Sequence, residues 1–370
     1  MSLRSRALPA TFPERNENMA REPFQLHPKP VGWGVLGLGM GQHHANLILK
    51  ASGLKLVALC DANPEAIARC EGKFPGVARY ASIEQLLADP RVEGVSVVLP
   101  HHLHAPVAIR LLNAGRHVVL DKPFCLTVAE GQRMIAAARR NRRLLSCFHN
   151  RRWDVDYATV QRLVDRGTIG RVRYLESRIG GAGRIGPGRW RADRKQMGGL
   201  LYDWGAHLID QSLRLIKCRP VSVYAFSQRD IPPKKGWDIE DRMQALVKFE
   251  DGSVALLAWV FNSPAPLPRM IVEGENGGIR IEHLLQDAPK DHPDGIQLYR
   301  LGKDRKTVQK SVPYAKVHWS GYYINVGRAL LGKERLLVRP EEAIRHVAIC
   351  EAAYRSARTG QAVALPKGLF

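Results

Sequence analysis

The chain has 370 residues, of which 45% are hydrophobic, and it carries a formal net charge of +21 at pH 7. Because single hydrophobic cores stop growing at roughly 250–300 residues, this length predicts two domains. No stretch approaches the roughly 18 uninterrupted apolar residues of a membrane-spanning helix, so the sequence excludes a protein of that class.

The first 30 residues and the cysteines indicate the compartment. Residues 1–30 contain Pro, Arg and Glu without a continuous apolar run, which is typical of a disordered extension and not of a secretory signal. Six cysteines stand without C-x-x-C or zinc spacing and are expected to be reduced thiols, at Cys60, Cys70, Cys125, Cys147, Cys218 and Cys350. We therefore expect a cytoplasmic protein.

The excess positive charge favours anionic partners, which include a dinucleotide phosphate, an acidic substrate and nonspecifically bound nucleic acid. The densest basic run, Arg139-Arg140-Asn141-Arg142-Arg143, closes a helical segment, where cations face solvent and suit the helix dipole. No zinc-finger, helix-turn-helix or RNA-binding signature accompanies this run, so no specific nucleic acid partner is expected.

A dinucleotide fingerprint begins the first domain. The apolar run Val31–Leu36 predicts a strand that breaks into Gly37-Leu38-Gly39-Met40-Gly41 before a helical pattern through Leu49. Glycines at such a turn let the backbone approach a pyrophosphate, and the helix N-terminus favours its negative charge. Gln42 stands at the third position of the G-x-G-x-x-G spacing, so Gly41 arrives early and a loop one residue shorter is expected.

An acidic residue follows the second strand. The predicted strand Leu54–Cys60 ends in Asp61, on the order of 20 residues after the glycine loop, where a carboxylate can bond the adenosine ribose hydroxyls. Because this carboxylate would repel a ribose phosphate, NAD is favoured over NADP, which stays possible. The alternative role for Asp61 is to cap the helix that begins near Pro64, and the two roles are compatible.

Alternating strands and helices continue this domain. Strands are predicted at Gly94–Leu99 and His117–Leu120, on either side of a helix at Ala105–Asn113. Such alternation predicts an α/β domain over residues 31–150, a doubly wound parallel sheet of the Rossmann type. Ligand chemistry then lies at the carboxyl ends of its strands.

Two polar segments follow these strands. The segment Pro100-His101-His102-Leu103-His104 is interpreted as a ligand-binding loop and not as a metal site, because His104 starts a helix. The segment Asp121-Lys122-Pro123 supplies an ammonium that can stabilise an alkoxide or donate to a carbonyl, the alternative being a surface charge. Pro123 is a candidate for a cis peptide bond.

A second candidate site lies on a predicted helix that begins at Gly198-Gly199. Asp203, His207 and Asp210 are spaced i, i+4 and i+7, which predicts one polar face. A carboxylate one turn from an imidazole can fix its tautomer and stabilise the imidazolium, so His207 is a candidate general base. The alternatives are a partly buried Asp–His pair without chemistry and, with less support, a metal site.

The rest of residues 151–370 predicts a second domain of mixed elements. A Gly- and Arg-rich loop, 180–196, carries Trp190, which is a candidate lid or cofactor-stacking residue or else a core residue. Glu250-Asp251-Gly252 predicts a hairpin turn. Strands are expected at Arg171–Ile179, Val221–Ser227, Asp241–Glu250, Ser253–Phe261 and Met270–Gly274, and helices at Val155–Arg166, Gly321–Leu331 and Glu341–Arg358.

Together these segments resemble the Gfo/Idh/MocA family of glucose-fructose oxidoreductases, inositol dehydrogenases and rhizopine catabolism proteins, from Val31 to Leu365. The family's Glu-Lys-Pro appears here as Asp-Lys-Pro, and its Pro-Asn-x-x-His as Pro-His-His-Leu-His. The narrower likeness, to a subgroup with scyllo-inositol dehydrogenases, rests on Phe148–Asp154 and Tyr202–Gln211. The family likeness is carried by the glycine loop with His44, Asp61, Pro100–His104, Asp121-Lys122-Pro123 and Gly198–Asp210.

The resemblance implies a second α/β domain with a large open, mostly antiparallel sheet, and a homo-oligomer, either dimer or tetramer. It implies NAD(P)-dependent oxidation of a secondary alcohol of a sugar, cyclitol or related polyol, without a metal. His207 would take the hydroxyl proton, Asp203 would orient it, and Lys122 would stabilise the oxygen or act as the base instead. Substrate contacts are expected from Lys122, Asp203, His207, Asp210 and Trp190, and cofactor contacts from Gly37–Gly41, Asp61, Pro100, His104, Asp121 and Lys122.

Two other functions remain open from the sequence. An NAD-dependent glycosidase would oxidise the sugar transiently to eliminate the aglycone, and would release sugar without net NADH. A non-enzymatic dinucleotide-binding regulator would need none of Lys122, Asp203 and His207, so their joint presence favours an enzyme.

Overall fold

The structure, a computed structural model, describes residues 22–181, 189–229, 237–261, 263, 268–287, 295–302 and 306–370. These residues form two β-sheets, covered by helices, whose buried side chains join into one hydrophobic core. Residues 182–188, within the loop that precedes the Asp203 helix, lie outside the described residues.

The first sheet is parallel, with six strands in the order β3-β2-β1-β4-β5-β6. Its strands are β1 Val31–Leu36, β2 Leu54–Cys60, β3 Ala78–Tyr80, β4 Gly94–Val97, β5 His117–Leu120 and β6 Leu145–Cys147. The helices between them are α1 Gly41–Ile48, α2 Pro64–Ala68, α3 Ile83–Ala88, α4 His104–Asn113 and α5 Val128–Arg140. The predicted doubly wound sheet is confirmed, and the strand order reverses between β1 and β4, where such folds bind ligands.

The second sheet has nine strands in the order β14-β13-β12-β11-β7-β10-β9-β8-β15, and only the β7–β10 pair is parallel among the described strands. Its strands are β7 Val172–Gly181, β8 Pro220–Gln228, β9 Arg242–Phe249, β10 Val254–Phe261, β11 Met270–Gly274, β12 Gly277–Ile281, β13 Ile296–Leu301, β14 Thr307–Val312 and β15 Val363–Ala364. The helices of this half are α6 Val155–Asp165, α7 Arg194–Met197, α8 Ala206–Leu215, α9 Ser320–Leu330 and α10 Pro340–Thr359. The expected open, mostly antiparallel sheet is confirmed.

Local sequence explains why the two sheets differ. Every residue of β1 is buried, as a parallel strand covered on both faces requires. In β9 the side chains alternate between buried and more exposed, which leaves one face of the second sheet open. The turn between β9 and β10 contains Gly252 at φ +83°, as the predicted hairpin turn needs.

The last two long helices pack against elements of the first sheet and its helices. Helix α9 packs against α1, and α10 packs against α5 and β6. The α9–α1 region is closely packed, because a Cβ on Gly327 would lie 2.9 Å from the Cα of Gly53. The segment after residue 320 therefore stabilises the first sheet although it belongs to the second half of the sequence.

Part of the predicted N-terminal extension is ordered. Phe24 is buried, the N–H of Gln25 donates to the carbonyl of Arg142 at 2.9 Å, and the N–H of His27 donates to Leu330 at 2.8 Å. Residues 22–30 thus have fixed contacts, which differs from the prediction of disorder, and residues 1–21 lie outside the described residues.

The six cysteines are free thiols, as their spacing predicts. No helix within the described ranges combines the length and the apolar character needed to cross a membrane.

Candidate active site

The carboxyl ends of the parallel strands gather the predicted cofactor residues. Leu36 pairs with Cys60 at the ends of β1 and β2, which brings the glycine loop beside Asp61. Val97 pairs with Leu120 at the ends of β4 and β5, which brings their following segments together. This edge carries Gly37, Leu38, Gly39, Met40, Gly41, Asp61, Pro100, His104, Asp121 and Lys122.

The glycine loop fits a dinucleotide pyrophosphate. Gly37 has φ +92°, and a Cβ there would collide with the carbonyl of Val98. Helix α1 starts at Gly41, and the N–H groups of Gly39, Met40 and Gly41 donate to no atom of the described residues. Since unpaired N–H groups at a helix start bind phosphate oxygens, these three can hold the pyrophosphate of NAD(P).

The carboxylate of Asp61 braces this loop. Its oxygens accept from the N–H of Leu38 at 2.7 Å and from the N–H of Asn63 at 2.8 Å. Asn63, and not Asp61, caps α2, because the Asn63 side chain accepts from the N–H of Glu65. The alternative that Asp61 is the helix cap is therefore wrong, and its contact with the ribose stays a prediction.

Lys122 meets Asp203 at the end of β5. The Lys122 ammonium forms an ion pair with the Asp203 carboxylate and lies 3.4 Å from the Asp203 carbonyl oxygen. Both side chains are largely buried, and the Lys122–Pro123 peptide bond is cis, which was a sequence expectation. A lysine at the end of the parallel sheet and a carboxylate of the segment before α8 thus form one charged pair.

His207 lies near this pair without bonding to Asp203. Among the described residues, neither nitrogen of its ring has a hydrogen-bond partner, although the side chain is buried. Its ring centroid is 5.8 Å from that of Trp204 and 6.2 Å from that of His149. The prediction that Asp203 orients His207 is therefore wrong in this structure, since the carboxylate pairs with Lys122.

The helix geometry explains the error. Residues Leu201–Gly205 form a π-helical turn before α8 begins at Ala206. A π-helical turn closes i→i+5 hydrogen bonds, so residues at i and i+4 no longer stack as they do in an α-helix. Asp203 consequently pairs with Lys122 and makes no hydrogen bond to His207.

Asp210 has a structural partner. Arg152 donates to its two oxygens at 2.8 and 2.6 Å, and both side chains are buried. Although burial acts to raise it, the charge of Arg152 holds the pKa of Asp210 below its ordinary value. Arg152 also contacts Glu342 at 2.9 Å. The prediction that Asp210 binds substrate is not supported by this geometry, because both oxygens are occupied.

Burial keeps the histidines around the site uncharged. Burial, and then the positive charges of Lys122 and Arg151, hold the pKa of His207 well below its ordinary value of 6.5. Burial lowers the pKa of His149 to about 4 and that of His101 well below 6.5. At neutral pH these rings are unprotonated, so each has a nitrogen that can accept a hydrogen bond.

His104 and His101 fix the loop after β4. The His104 ring lies 2.8 Å from the Pro123 carbonyl and 3.0 Å from the Leu99 carbonyl, which places it inside the protein and differs from the predicted cofactor contact. His101 Nδ1 lies 2.8 Å from the Met197 carbonyl, and Trp190 packs edge-on against His101 with centroids 4.8 Å apart. No cluster of metal-ligating side chains is found in the described ranges.

Asp121 lies beside a buried hydrogen-bond chain. In that chain His44 Nδ1 lies 2.7 Å from the hydroxyl of Tyr323, and that hydroxyl is 2.7 Å from the hydroxyl of Ser96. His44 Nε2 lies 3.8 Å from the Asp121 carboxylate, which is beyond hydrogen-bond distance. The chain therefore joins α1, β4 and α9, and its His44 end faces the residue before Lys122.

Two residues that sequence reasoning missed anchor the start of the Asp203 segment. Glu240, buried, accepts from the N–H of Leu200 at 2.9 Å and from the Tyr354 hydroxyl. Tyr354 in turn accepts from the N–H of Leu201 at 3.0 Å. Glu240 and Tyr354 are distant in sequence from the segment that they anchor. The one signal in the sequence is that Glu240 directly precedes the predicted strand Asp241–Glu250.

Two family models match the chain. The model of the oxidoreductase family with an NAD-binding Rossmann fold matches residues 31–149, and the model of the GFO/IDH/MocA C-terminal domain matches residues 157–280. With the fold and the glycine loop, these matches define an NAD(P)-dependent dehydrogenase. The chain belongs to the Gfo/Idh/MocA family of oxidoreductases.

Relatives extend the similarity over most of the chain. The chain is 27% identical to the scyllo-inositol 2-dehydrogenase (NADP(+)) IolW of Bacillus subtilis, over 90% of this chain and 95% of that protein. It is 31% identical to the 1-carboxy-3-chloro-3,4-dihydroxycyclo hexa-1,5-diene dehydrogenase of Comamonas testosteroni, over 60% of this chain and 56% of that protein. A solved NAD-binding protein from Listeria innocua superposes with a TM-score of 0.81 at 28% identity, covering 92% of this chain and 98% of that one.

Proposed function

We propose that the protein oxidises a secondary alcohol of a sugar, cyclitol or related polyol and passes the hydride to NAD(P). The observation that carries this proposal is the meeting of Lys122 and Asp203 beside an uncharged His207, at the edge that fits the dinucleotide. The names of the Bacillus and Comamonas relatives, which act on a cyclitol and on a cyclic diol, support this substrate class.

Each catalytic side chain has one role in the proposal. His207 accepts the hydroxyl proton, because its ring is neutral and has no hydrogen-bond partner among the described residues. Lys122 stabilises the oxygen as it loses that proton, and Asp203 holds the ammonium in place. The carbinol carbon gives up its hydrogen with two electrons, the C–O bond becomes a carbonyl, and the bound nicotinamide supplies the hydride acceptor.

We propose NAD as the preferred cofactor. The carboxylate of Asp61 lies at the end of β2 and already braces the glycine loop through Leu38. This carboxylate would repel the negative charge of a ribose phosphate, whereas ribose hydroxyls can donate hydrogen bonds to it. The name of the Bacillus relative contains NADP(+), so both cofactors belong in the test.

We also propose a homo-oligomer that uses the open face of the second sheet. Tyr224 of β8 pairs across the sheet with Leu246 of β9, and both are exposed, as is Phe226. Adjacent exposed apolar side chains on a flat sheet are typical of a subunit interface. Light scattering of the purified protein should give a multiple of the 41.3 kDa chain mass, and a monomer would contradict the proposal.

The test of the activity is a substrate panel. Purified protein is incubated with NAD and separately with NADP, against inositols, aldoses and sugar acids, and reduced nicotinamide is followed by absorbance. NADH that appears with one substrate group supports the proposal and narrows the substrate. Sugar release from glycosides without net NADH would favour the glycosidase, and NADH binding without turnover of any substrate would favour a regulator.

A further inference from the structure

The guanidinium of Arg191 is a partly exposed positive charge beside Asp203 in the candidate site. It lies on the 3-10 turn Trp190–Ala192, one residue before α7 begins at Arg194. Its Nε lies 3.8 Å from one oxygen of Asp203, and its guanidinium stacks on the ring of Trp190 at 4.2 Å. The side chain is 35% exposed, so an incoming ligand can reach it.

Arg191 has no carboxylate within hydrogen-bond distance among the described residues. The Asp203 carboxylate makes its close contact with Lys122, and Arg191 donates no hydrogen bond to any described residue. Other arginines around the site differ, since each has a carboxylate within 2.9 Å: Arg151 with Asp154, Arg152 with Asp210 and Arg194 with Glu240. Arg191 is therefore a cation beside Asp203 that retains its capacity to bind an anion.

A bound substrate and cofactor would cover this guanidinium and remove water from it. Covering a cation is costly unless it gains an ionic or hydrogen-bonded partner. A planar guanidinium offers paired N–H donors that match two oxygens of a carboxylate or a phosphate. An anionic substrate would supply those oxygens next to Lys122, where the reacting hydroxyl is bound.

We infer that the substrate is an anionic polyol and that Arg191 binds its carboxylate or phosphate group. The inference rests on the proposed function, whose reacting atoms lie at Lys122 and His207, and it adds the charge of the substrate. The cofactor pyrophosphate has a different place, at the N–H groups of Gly39, Met40 and Gly41 after β1. Arg191 lies instead at the segment that contains Asp203.

The test compares charged and neutral ligands on one protein. NADH fluorescence of the protein–NADH complex is titrated with D-glucuronate, quinate and glucose 6-phosphate, and with glucose and myo-inositol as neutral counterparts. The variants are Arg191→Gln and Arg191→Lys. Arg189→Gln is the matched control, because Arg189 is exposed two residues earlier and its side chain makes no hydrogen bond or ion pair with a described residue.

At least one anionic compound should bind the wild-type complex more tightly than its neutral counterpart. Arg191→Gln should weaken that binding by about tenfold or more, as the loss of charge-assisted hydrogen bonds predicts. The affinity of Arg191→Lys should lie between those of the wild type and Arg191→Gln, since lysine keeps the charge but lacks the paired N–H donors of a guanidinium. The affinities of Arg191→Gln for neutral ligands and for NADH should equal those of the wild type, and Arg189→Gln should bind every ligand as the wild type does. Comparison of the carboxylate compounds with glucose 6-phosphate shows which anionic group is bound.

The outcomes separate this inference from the proposed function. Equal binding of anionic and neutral compounds, or equal losses for both in Arg191→Gln, would overturn the inference, even if neutral polyols are oxidised. A loss of NADH affinity in Arg191→Gln would assign Arg191 to the cofactor and also overturn it. Anion binding that depends on Arg191 without hydride transfer would retain the inference for the site and remove the dehydrogenase activity.

Discussion

The carboxylate of Asp203 neutralises Lys122 in a site where both side chains are largely buried. Asp203→Asn keeps the shape and removes the charge, which leaves the ammonium without its close partner. Breaking a buried pair in this way costs roughly 3–5 kcal/mol of unfolding free energy, and turnover should fall because the ammonium loses its position. Urea denaturation and steady-state kinetics measure the two effects.

The matched control is Asp165→Asn. Asp165 pairs with Lys217 at 2.6 Å on the surface, where both side chains are about half exposed. Exposed pairs contribute roughly 0–1 kcal/mol, so this variant should keep turnover and nearly all stability. Equal effects of the two substitutions would show that Asp203 has no special role.

At the residue scale, sequence identified the chemical groups better than their partners. Lys122, Asp203 and His207 were recognisable as candidates from their types, their spacing and a family resemblance. The Asp203–Lys122 and Asp210–Arg152 pairs join residues 81 and 58 positions apart, so no local pattern could show them. Pairings of this kind depend on how the two domains pack.

The segment before α8 depends on Gly199. Gly199 has φ +120°, and a Cβ there would collide with the Tyr354 hydroxyl, which accepts from the N–H of Leu201. Gly199→Ala should therefore destabilise the protein and lower turnover, because it displaces the turn that carries Asp203. Thermal unfolding and kinetics measure this change.

Gly252→Ala separates backbone strain from collision. Gly252 also has positive φ, at +83°, but its Cβ would meet no atom within 4 Å. Strain alone should cost about 1–2 kcal/mol there and leave turnover unchanged. If Gly252→Ala lowered turnover as much as Gly199→Ala, the predicted link between Tyr354 and the active site would be wrong.

At the element scale, periodicity placed the buried strands and long helices of the described chain. It missed the short strand β3 and the strands β12 to β14, whose sequences are brief or polar and gain stability from sheet neighbours. It also predicted an α-helical first turn where Leu201–Gly205 is π-helical. Glu240 and Tyr354, which contact that turn, are distant from it in sequence, so local helix propensity cannot predict these contacts.

Buried histidines make the stability of the whole molecule sensitive to acid. Burial lowers the pKa of His44 and His149 to about 4 and that of His117 to about 3, below the ordinary 6.5 of the unfolded chain. Between these values the unfolded chain binds more protons than the native state. Stability is therefore full above pH 6.5 and is lost as the pH falls toward 4.

His149→Phe isolates one contribution. With a pKa of about 4, His149 should lower the unfolding free energy by about 2 kcal/mol as the pH falls from 7 to 5. The unfolding free energy of the variant should lack this dependence on pH. Comparison with wild type is needed because burial raises the pKa of Asp156 to about 6, which acts with opposite sign. His283→Asn, at an exposed position, should keep the wild-type slope, and an unchanged slope in His149→Phe would contradict the prediction.

At the scale of the molecule, the parallel sheet and its dinucleotide edge followed from strand–helix alternation and the glycine loop. The packing of α9 and α10 against elements of the first sheet did not, because helical periodicity predicts a buried face but not the element that covers it. The ordering of residues 22–30 depends on contacts to Arg142 and Leu330, both of which are far from this segment in sequence.

The most direct test of the proposed chemistry is Lys122→Met, with turnover and NADH affinity measured on the same preparation. Lys122 is proposed to stabilise the reacting oxygen, so turnover should fall by about 100-fold or more while the Kd for NADH is unchanged. Retained turnover, or a loss of NADH affinity as large as the loss of turnover, would contradict the assignment of Lys122 to the chemical step.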